Sequence, residues 1–169
     1  MGFSILIILP SVLMFSTLDI EPPSGAAPGF GSALDRSGTH FIVGTPAGNN
    51  NKGHVSIYAN GDTTSPVWTL DVSGLPNDAE AGRAVAIDGD WAAIGVPGDN
   101  RTLILKYEDT GSGGQWSENE WLTSPPGIDQ FGYSIDMNQG EMLIGAPEGM
   151  EAVAGYRLED YTFPDGSTQ

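Results

Sequence analysis

A glycine-centred pattern recurs three times along the chain, at a spacing of 51 and then 50 residues. Gly31, Gly82 and Gly132 form one set, Gly44, Gly95 and Gly145 a second, and Pro46, Pro97 and Pro147 a third. The windows run from Phe30-Gly31-Ser32-Ala33-Leu34 to Gly44-Thr45-Pro46, from Ala81-Gly82-Arg83-Ala84-Val85 to Gly95-Val96-Pro97, and from Phe131-Gly132-Tyr133-Ser134-Ile135 to Gly145-Ala146-Pro147. One Gly-x-Pro triplet is a common accident, but three in register with three upstream glycines make a tandem repeat. A unit of about fifty residues holding about four strand candidates has the size of a propeller blade, not of a helical solenoid unit.

Composition agrees. With 24 Gly and 12 Pro in 169 residues, about a fifth of the chain is turn former, which argues against a helical bundle. The strand candidates of the first unit are Ser32–Asp35, Phe41–Gly44, Val55–Tyr58 and Val67–Asp71. Those of the second are Arg83–Ile87, Trp91–Gly95, Leu103–Tyr107 and Glu120–Thr123, and the third unit has three clear strands. Asp35-Arg36-Ser37-Gly38, Asp88-Gly89-Asp90 and Asn138-Gln139-Gly140 separate strands one and two with residues that accept the positive φ of tight hairpins. The second strands, Phe41-Ile42-Val43, Ala92-Ala93-Ile94 and Met142-Leu143-Ile144, are apolar at successive positions, as a strand covered on both faces by neighbouring blades requires. The expected fold is all-β: about three antiparallel four-stranded blades of an incomplete β-propeller.

These windows resemble the FG-GAP repeat, the blade unit of integrin α-subunit propellers and of many secreted bacterial and algal proteins. The likeness covers about 140 residues. It rests on Phe30-Gly31 with Gly44-Thr45-Pro46, on the degenerate Ala81-Gly82 with Gly95-Val96-Pro97, and on the full match of Phe131-Gly132 with Gly145-Ala146-Pro147. Trp68 to Leu70 and Trp121-Leu122 match the tryptophan-led outer strand, and Asp129-Gln130 the usual lead-in. Glycine at such places lets backbones approach near the crowded axis, and proline ends a strand where its missing N–H costs nothing. The resemblance implies an extracellular or cell-surface binding or adhesion module, informative about fold and weak about activity.

Chemistry is sparse. Many members of the resembled family carry an Asp-x-Asp-x-Asp-Gly calcium loop between the two motif halves, and here the halves are too close to hold one. The hairpin residues do not supply the oxygen ligands calcium takes, so no metal and no cofactor is expected. The best candidate ligand surface is the set of loops after each Gly-x-Pro, with Asn49, Asn50, Asn51, Asp99, Asn100, Glu148 and Glu151, because propeller blades bring such loops to one face. Asn, Asp and Gly are equally good plain turn residues, and that alternative stands beside the ligand role. Asn100-Arg101-Thr102 is also a glycosylation sequon. His40 and His54 are the only histidines, neither next to a serine or thiol motif, and Asp88 with Asp90 reads as solvated turn charge. The chain is expected not to be an enzyme; a fragment of a propeller enzyme or lectin, or a purely structural piece of a larger adhesin, are the alternatives.

Charge narrows the partners. Six Lys and Arg against 22 Asp and Glu give a net charge of −16, which opposes a phosphate backbone and leaves a protein or glycan as the expected ligand. The acidity also serves solubility in saline surroundings. No cysteine is present, so neither disulfides nor thiolate sites arise.

The ends pose their own question. Residues 1–20 are apolar from Phe3 to Phe15 apart from Ser4, Pro10 and Ser11, too short a run to span a bilayer comfortably. They read as a signal peptide or hydrophobic leader, with an uncleaved anchor or a core strand as alternatives. Residues 21–29 form a linker, followed by blades over 30–80, 81–130 and 131–169, the last incomplete. Residues 30–169 make about 2.8 units, whereas closed propellers have about four to eight blades. The segment is therefore expected to leave apolar end faces, one with Phe41 and Val43 and the other with Met142 and Ile144, that further blades or other copies must cover.

Overall fold

The computed structural model describes residues 19–24, 26, 28–111 and 113–159. The expected leader, save Asp19 and Ile20, and the last part of the third blade lie outside the described residues.

Strands β1 (Ala33–Ser37), β2 (His40–Gly44), β3 (Val55–Ala59) and β4 (Trp68–Thr69) form an antiparallel sheet in sequential order. Strands β5 (Val85–Asp88), β6 (Trp91–Val96), β7 (Arg101–Asp109) and β8 (Gly114–Thr123) repeat it. In the third unit a short β9 (Ile128–Asp129) precedes β10 (Ser134–Asn138), β11 (Glu141–Ala146), β12 (Glu148–Gly149) and β13 (Ala152–Arg157). There β10, β11 and β13 make the sheet, while β9 pairs with β12. Register repeats with the sequence: Ala33 faces Gly44, and Ser134 faces Gly145. Gly38, Gly89 and Gln139 take positive φ at the hairpins, where the right-handed strand twist calls for left-handed turn residues. The fold is thus all-β, with about three antiparallel blades that form no closed ring among the described residues, which hold three strands of the third blade.

Alternation of side chains across the middle sheet builds two cores. Val85, Ile87, Ala92, Ile94, Val96, Leu103 and Leu105 pack toward the first sheet against Ile42, Val55, Ile57 and Leu70. Ala86, Trp91, Ala93 and Ile104 point the other way, onto Phe131, Met142, Ile144 and Ala146 of the third. Successive strand residues face opposite sides, so a strand used on both sides must be apolar at every position, and β6 is buried throughout. Each fully buried Ile or Leu contributes about 1.5–3 kcal/mol, which makes the middle blade the stability centre.

Glycines set how closely the sheets approach. A Cβ on Gly44 would lie 2.3 Å from the carbonyl oxygen of Gly82, and one on Gly95 would lie 1.9 Å from that of Gly132. No side chain fits such a gap. Polar ties accompany the seams: Asp35 Oδ2 accepts the Ile87 amide at 2.8 Å, Ser37 Oγ the Gly89 amide at 3.0 Å, and Asp88 Oδ2 the Gln139 amide at 2.6 Å. The carboxylate of Asp88, expected to be a solvated turn charge, therefore links blades two and three.

Three expectations are corrected. The end face of the third sheet carries Leu143 and Gly145, because Met142 and Ile144 are buried in the second core. On the first sheet Val43 is buried and Phe41 half-buried, its ring stacked 5.1 Å from that of buried Tyr58, with Ile20 bordering the same hollow. Of the three second strands among the described residues, β6 has both faces fully covered, whereas β11 alternates buried and exposed. Element lengths also differ: β8 starts at Gly114, six residues before the expected Glu120, because β7 and β8 form a long hairpin with a bulge after Ile104 that carries Trp116 into the first core. Strand β4 keeps only Trp68 and Thr69 of the expected Val67–Asp71, Asp71 being turned to accept the Ser73 amide.

Candidate functional site

The three loops after the Gly-x-Pro triplets are stitched into one continuous rim by the segments that lead into the second and third units. Glu80 and Ala81 donate their amides to Asn51 and Lys52 of the first loop, and Gly98 of the second loop donates to Ala79. One unit on, Ser124 donates to Asn100, Met150 donates to Gly127, and Glu148 pairs with Asp129. Backbone hydrogen bonds thus tie the first loop to the second through residues 79–81, and the second to the third through residues 124–129.

The first loop turns the chain in an unusual way. Asn49, Asn50 and Asn51 have φ of 50, 59 and 60°, a single left-handed turn over Gly48–Asn51. Asn is among the few residues that take this conformation, ordinarily one residue at a time, so three in a row store strain that the surroundings must hold. Asn49 Nδ2 donates to the Gly53 carbonyl at 3.1 Å, closing the loop on itself, and Asn51 Nδ2 donates to Asp78 Oδ1 at 3.0 Å.

The seven candidate residues divide accordingly. Asn51 and Asn100 are used for holding the rim, the latter giving Nδ2 to Asp129 Oδ1 at 3.2 Å. Asn49 closes its own loop, and Asp99 is paired with Arg101, whose guanidinium also lies 4.3 Å from the Trp121 ring centre. Asn50, Glu148 and Glu151 are exposed, and their side chains make no hydrogen bond or ion pair among the described residues. Nδ2 of Asn100, the nitrogen a glycan would occupy, donates to Asp129 Oδ1, and Oδ1 of the same half-buried side chain is enclosed.

The histidines occupy packing positions. His40 lies 4.9 Å from the Tyr107 ring and 5.5 Å from that of Trp116, and burial holds its imidazole below the ordinary range against the opposing pull of Asp90. His54, also held low by burial, has Nε2 2.9 Å from Ser56 Oγ. This Ser–His proximity was not expected from the sequence, although residues two apart on a strand share a face. Ser56 Oγ lies in a fully buried residue, so no substrate reaches it in this arrangement.

A second concavity has no counterpart in the sequence reading. A cleft of about 460 Å³ opens between the second and third sheets, lined by Trp91, Lys106, Glu120, Tyr156 and Arg157 among others. Lys106 Nζ sits 4.9 Å from the Trp91 ring centre, and burial together with the negative Glu120 pushes the Tyr156 hydroxyl upward in pKa. At the corresponding place between the first and second sheets, the rings of His40, Tyr107 and Trp116 fill the space.

No protein-family profile matches the chain, and no characterised protein sequence matches it. Among solved structures the chain is similar to Sqt1 from Chaetomium thermophilum, with a TM-score of 0.54 and 12% sequence identity over 84% of this chain and 40% of that one. The chain thus spans less than half the length of that protein, and the likeness concerns the fold alone: β-rich, with propeller-like sheets.

Proposed function

We propose that this chain is a non-catalytic binding segment of FG-GAP type, acting outside the cell or at its surface, whose rim of loops meets a protein or glycan ligand. The observation that carries the reading is the division of labour along the rim. Asn49, Asn51 and Asn100 hold the loops in place, while Asn50, Glu148 and Glu151 present uncommitted polar groups from a braced backbone. A preorganised set of polar groups loses little freedom on binding, which is what a recognition surface needs. The net charge of −16 favours ligands with cationic or hydroxyl-rich surfaces and opposes nucleic acid.

Binding to a glycan array and to candidate surface proteins tests this. Replacing Asn50 by Gly, which keeps the left-handed backbone, and both Glu148 and Glu151 by Gln should abolish the retained signal with the melting temperature unchanged. Binding that survives the triple substitution removes the rim from the account. Hydrolysis of glycosides or phosphoesters that disappears on replacing a carboxylate would establish an enzyme fragment instead.

A further inference from the structure

The cleft between the second and third sheets is shaped by a break in strand geometry. Strand β8 pairs Glu118 with Leu105 and Glu120 with Ile104, so Asn119 is an extra residue with no partner on β7. Side chains on a regular strand alternate between faces, and one inserted residue reverses the alternation. Trp116, before the bulge, therefore packs into the first core, while Asn119, Glu120 and Leu122 line the cleft on the other side. The opening is not a property of the repeat, because His40, with which Trp91 stands in register, is packed against the rings of Tyr107 and Trp116 at the equivalent place one seam earlier.

Hydrogen-bond donors and acceptors meet here over an apolar floor of Trp91, Ile104, Met142 and Leu158, all buried. The half-buried Lys106 ammonium lies 4.9 Å from the Trp91 ring centre and makes no hydrogen bond or ion pair among the described residues; nor do the side chains of Asn119 and Glu120. Arg157 commits Nη2 to Glu141 Oε1 at 2.9 Å, which engages one of its nitrogens. Across the cleft from Glu120 stands Tyr156, whose hydroxyl is kept protonated, and so a donor, by burial and by that carboxylate. Lys106 and Arg157 balance Glu120 and Glu159 around the opening, although the whole chain carries −16.

We propose that this cleft binds a neutral pyranose sugar, free or as one unit of a glycan. Each sugar hydroxyl both donates and accepts, so donors on Lys106, Tyr156 and Arg157 set beside acceptors on Asn119 and Glu120 can satisfy it, and the apolar face of the sugar ring covers the floor. An anion would meet Glu120 and the field of the whole chain, a cation would meet Lys106 and Arg157, and an apolar ligand would bury their charges without partners. The volume of about 460 Å³ falls within the about 300–1,000 Å³ of small-molecule sites. Trp91 begins β6 and the rim loop follows Val96 at its end, so cleft and rim lie at opposite ends of the strand. The inference does not depend on what the rim binds.

Saturation-transfer NMR and titration calorimetry of the full chain with free glucose, galactose, mannose and N-acetylglucosamine test it, with glucuronate as the anionic comparison. At least one neutral sugar should bind, and glucose should bind no more weakly than glucuronate. Lys106→Met keeps the aliphatic stem over Trp91 and should weaken binding about tenfold, as loss of a charged donor implies, while Tyr156→Phe keeps the ring and should weaken it about threefold. Both should melt as the wild type does. The chain with Asn50→Gly, Glu148→Gln and Glu151→Gln should bind the sugar unchanged. Absence of binding by all four neutral sugars, or tighter binding of glucuronate than of glucose, overturns the proposal. So does binding that survives Lys106→Met and Tyr156→Phe together, or that disappears in the rim variant.

Discussion

The second strands of the middle and third blades carry the same motif in opposite surroundings. Both run apolar residues into Gly-x-Pro, yet β6 is buried at every position and β11 only at alternate ones. Pro97 is buried where Pro147 is exposed. Local sequence fixes the strand, while the presence of a neighbouring blade decides whether its glycine is a structural necessity or an open seat.

The comparison breaks most readily at large core side chains. Ile94→Ala or Leu103→Ala in the middle sheet should cost about 2–5 kcal/mol, since a cavity opens in a packed core. Leu143→Ala on the exposed face should cost under about 0.5 kcal/mol. Denaturant unfolding that returned similar losses at both places would show that the third sheet is covered in the monomer.

The rim sharpens the same contrast on a smaller scale. Asn100→Gly should lose about 0.5–1.5 kcal/mol with its hydrogen bond to Asp129, and Asn50→Gly nothing measurable by that route, glycine keeping the positive φ at both positions. An equal loss at Asn50 would mean that its side chain braces the loop.

The smallest expected effect is a pH dependence in the first sheet. Burial holds the folded pKa of His54 below the ordinary imidazole value of 6.5, so the unfolded chain takes up the proton first. The stability tied to neutral His54 is complete above pH 6.5 and declines as pH falls from there toward the folded pKa. Between pH 7.5 and pH 5 the wild-type melting temperature should therefore fall relative to that of His54→Gln, which cannot titrate. Parallel curves for the two chains would contradict this placement.

Much of the fold was legible because it repeats. Glycines at one register in three units point to a backbone approach that only glycine permits, and the separations from Gly44 to Gly82 and from Gly95 to Gly132 are such approaches. The orientation of the end face was not legible from hydropathy, because Met142, Leu143 and Ile144 are apolar in both parities. The register of Gly145 with Gly44 resolves it, since Gly44 and Ile42 point toward the next blade. The first half of β8 is not legible in the sequence, because Gly114–Glu118 is polar apart from Trp116 and the long hairpin with β7 holds the strand. On the rim, the turn-forming asparagines were visible, but their partners Asp78 and Asp129 lie 27 and 29 residues away, beyond any local pattern.

The most direct test of the seam is the pair Gly95→Ala and Gly145→Ala. A Cβ at residue 95 would press on the backbone oxygen of Gly132, which cannot swing aside, whereas one at residue 145 meets the rotatable hydroxyl of Ser134. Equilibrium unfolding in urea should show a loss of about 1–3 kcal/mol for Gly95→Ala, as expected of overpacking, and under about 0.5 kcal/mol for Gly145→Ala, as expected of a surface substitution. Equal losses, or a larger loss at Gly145, would contradict the account.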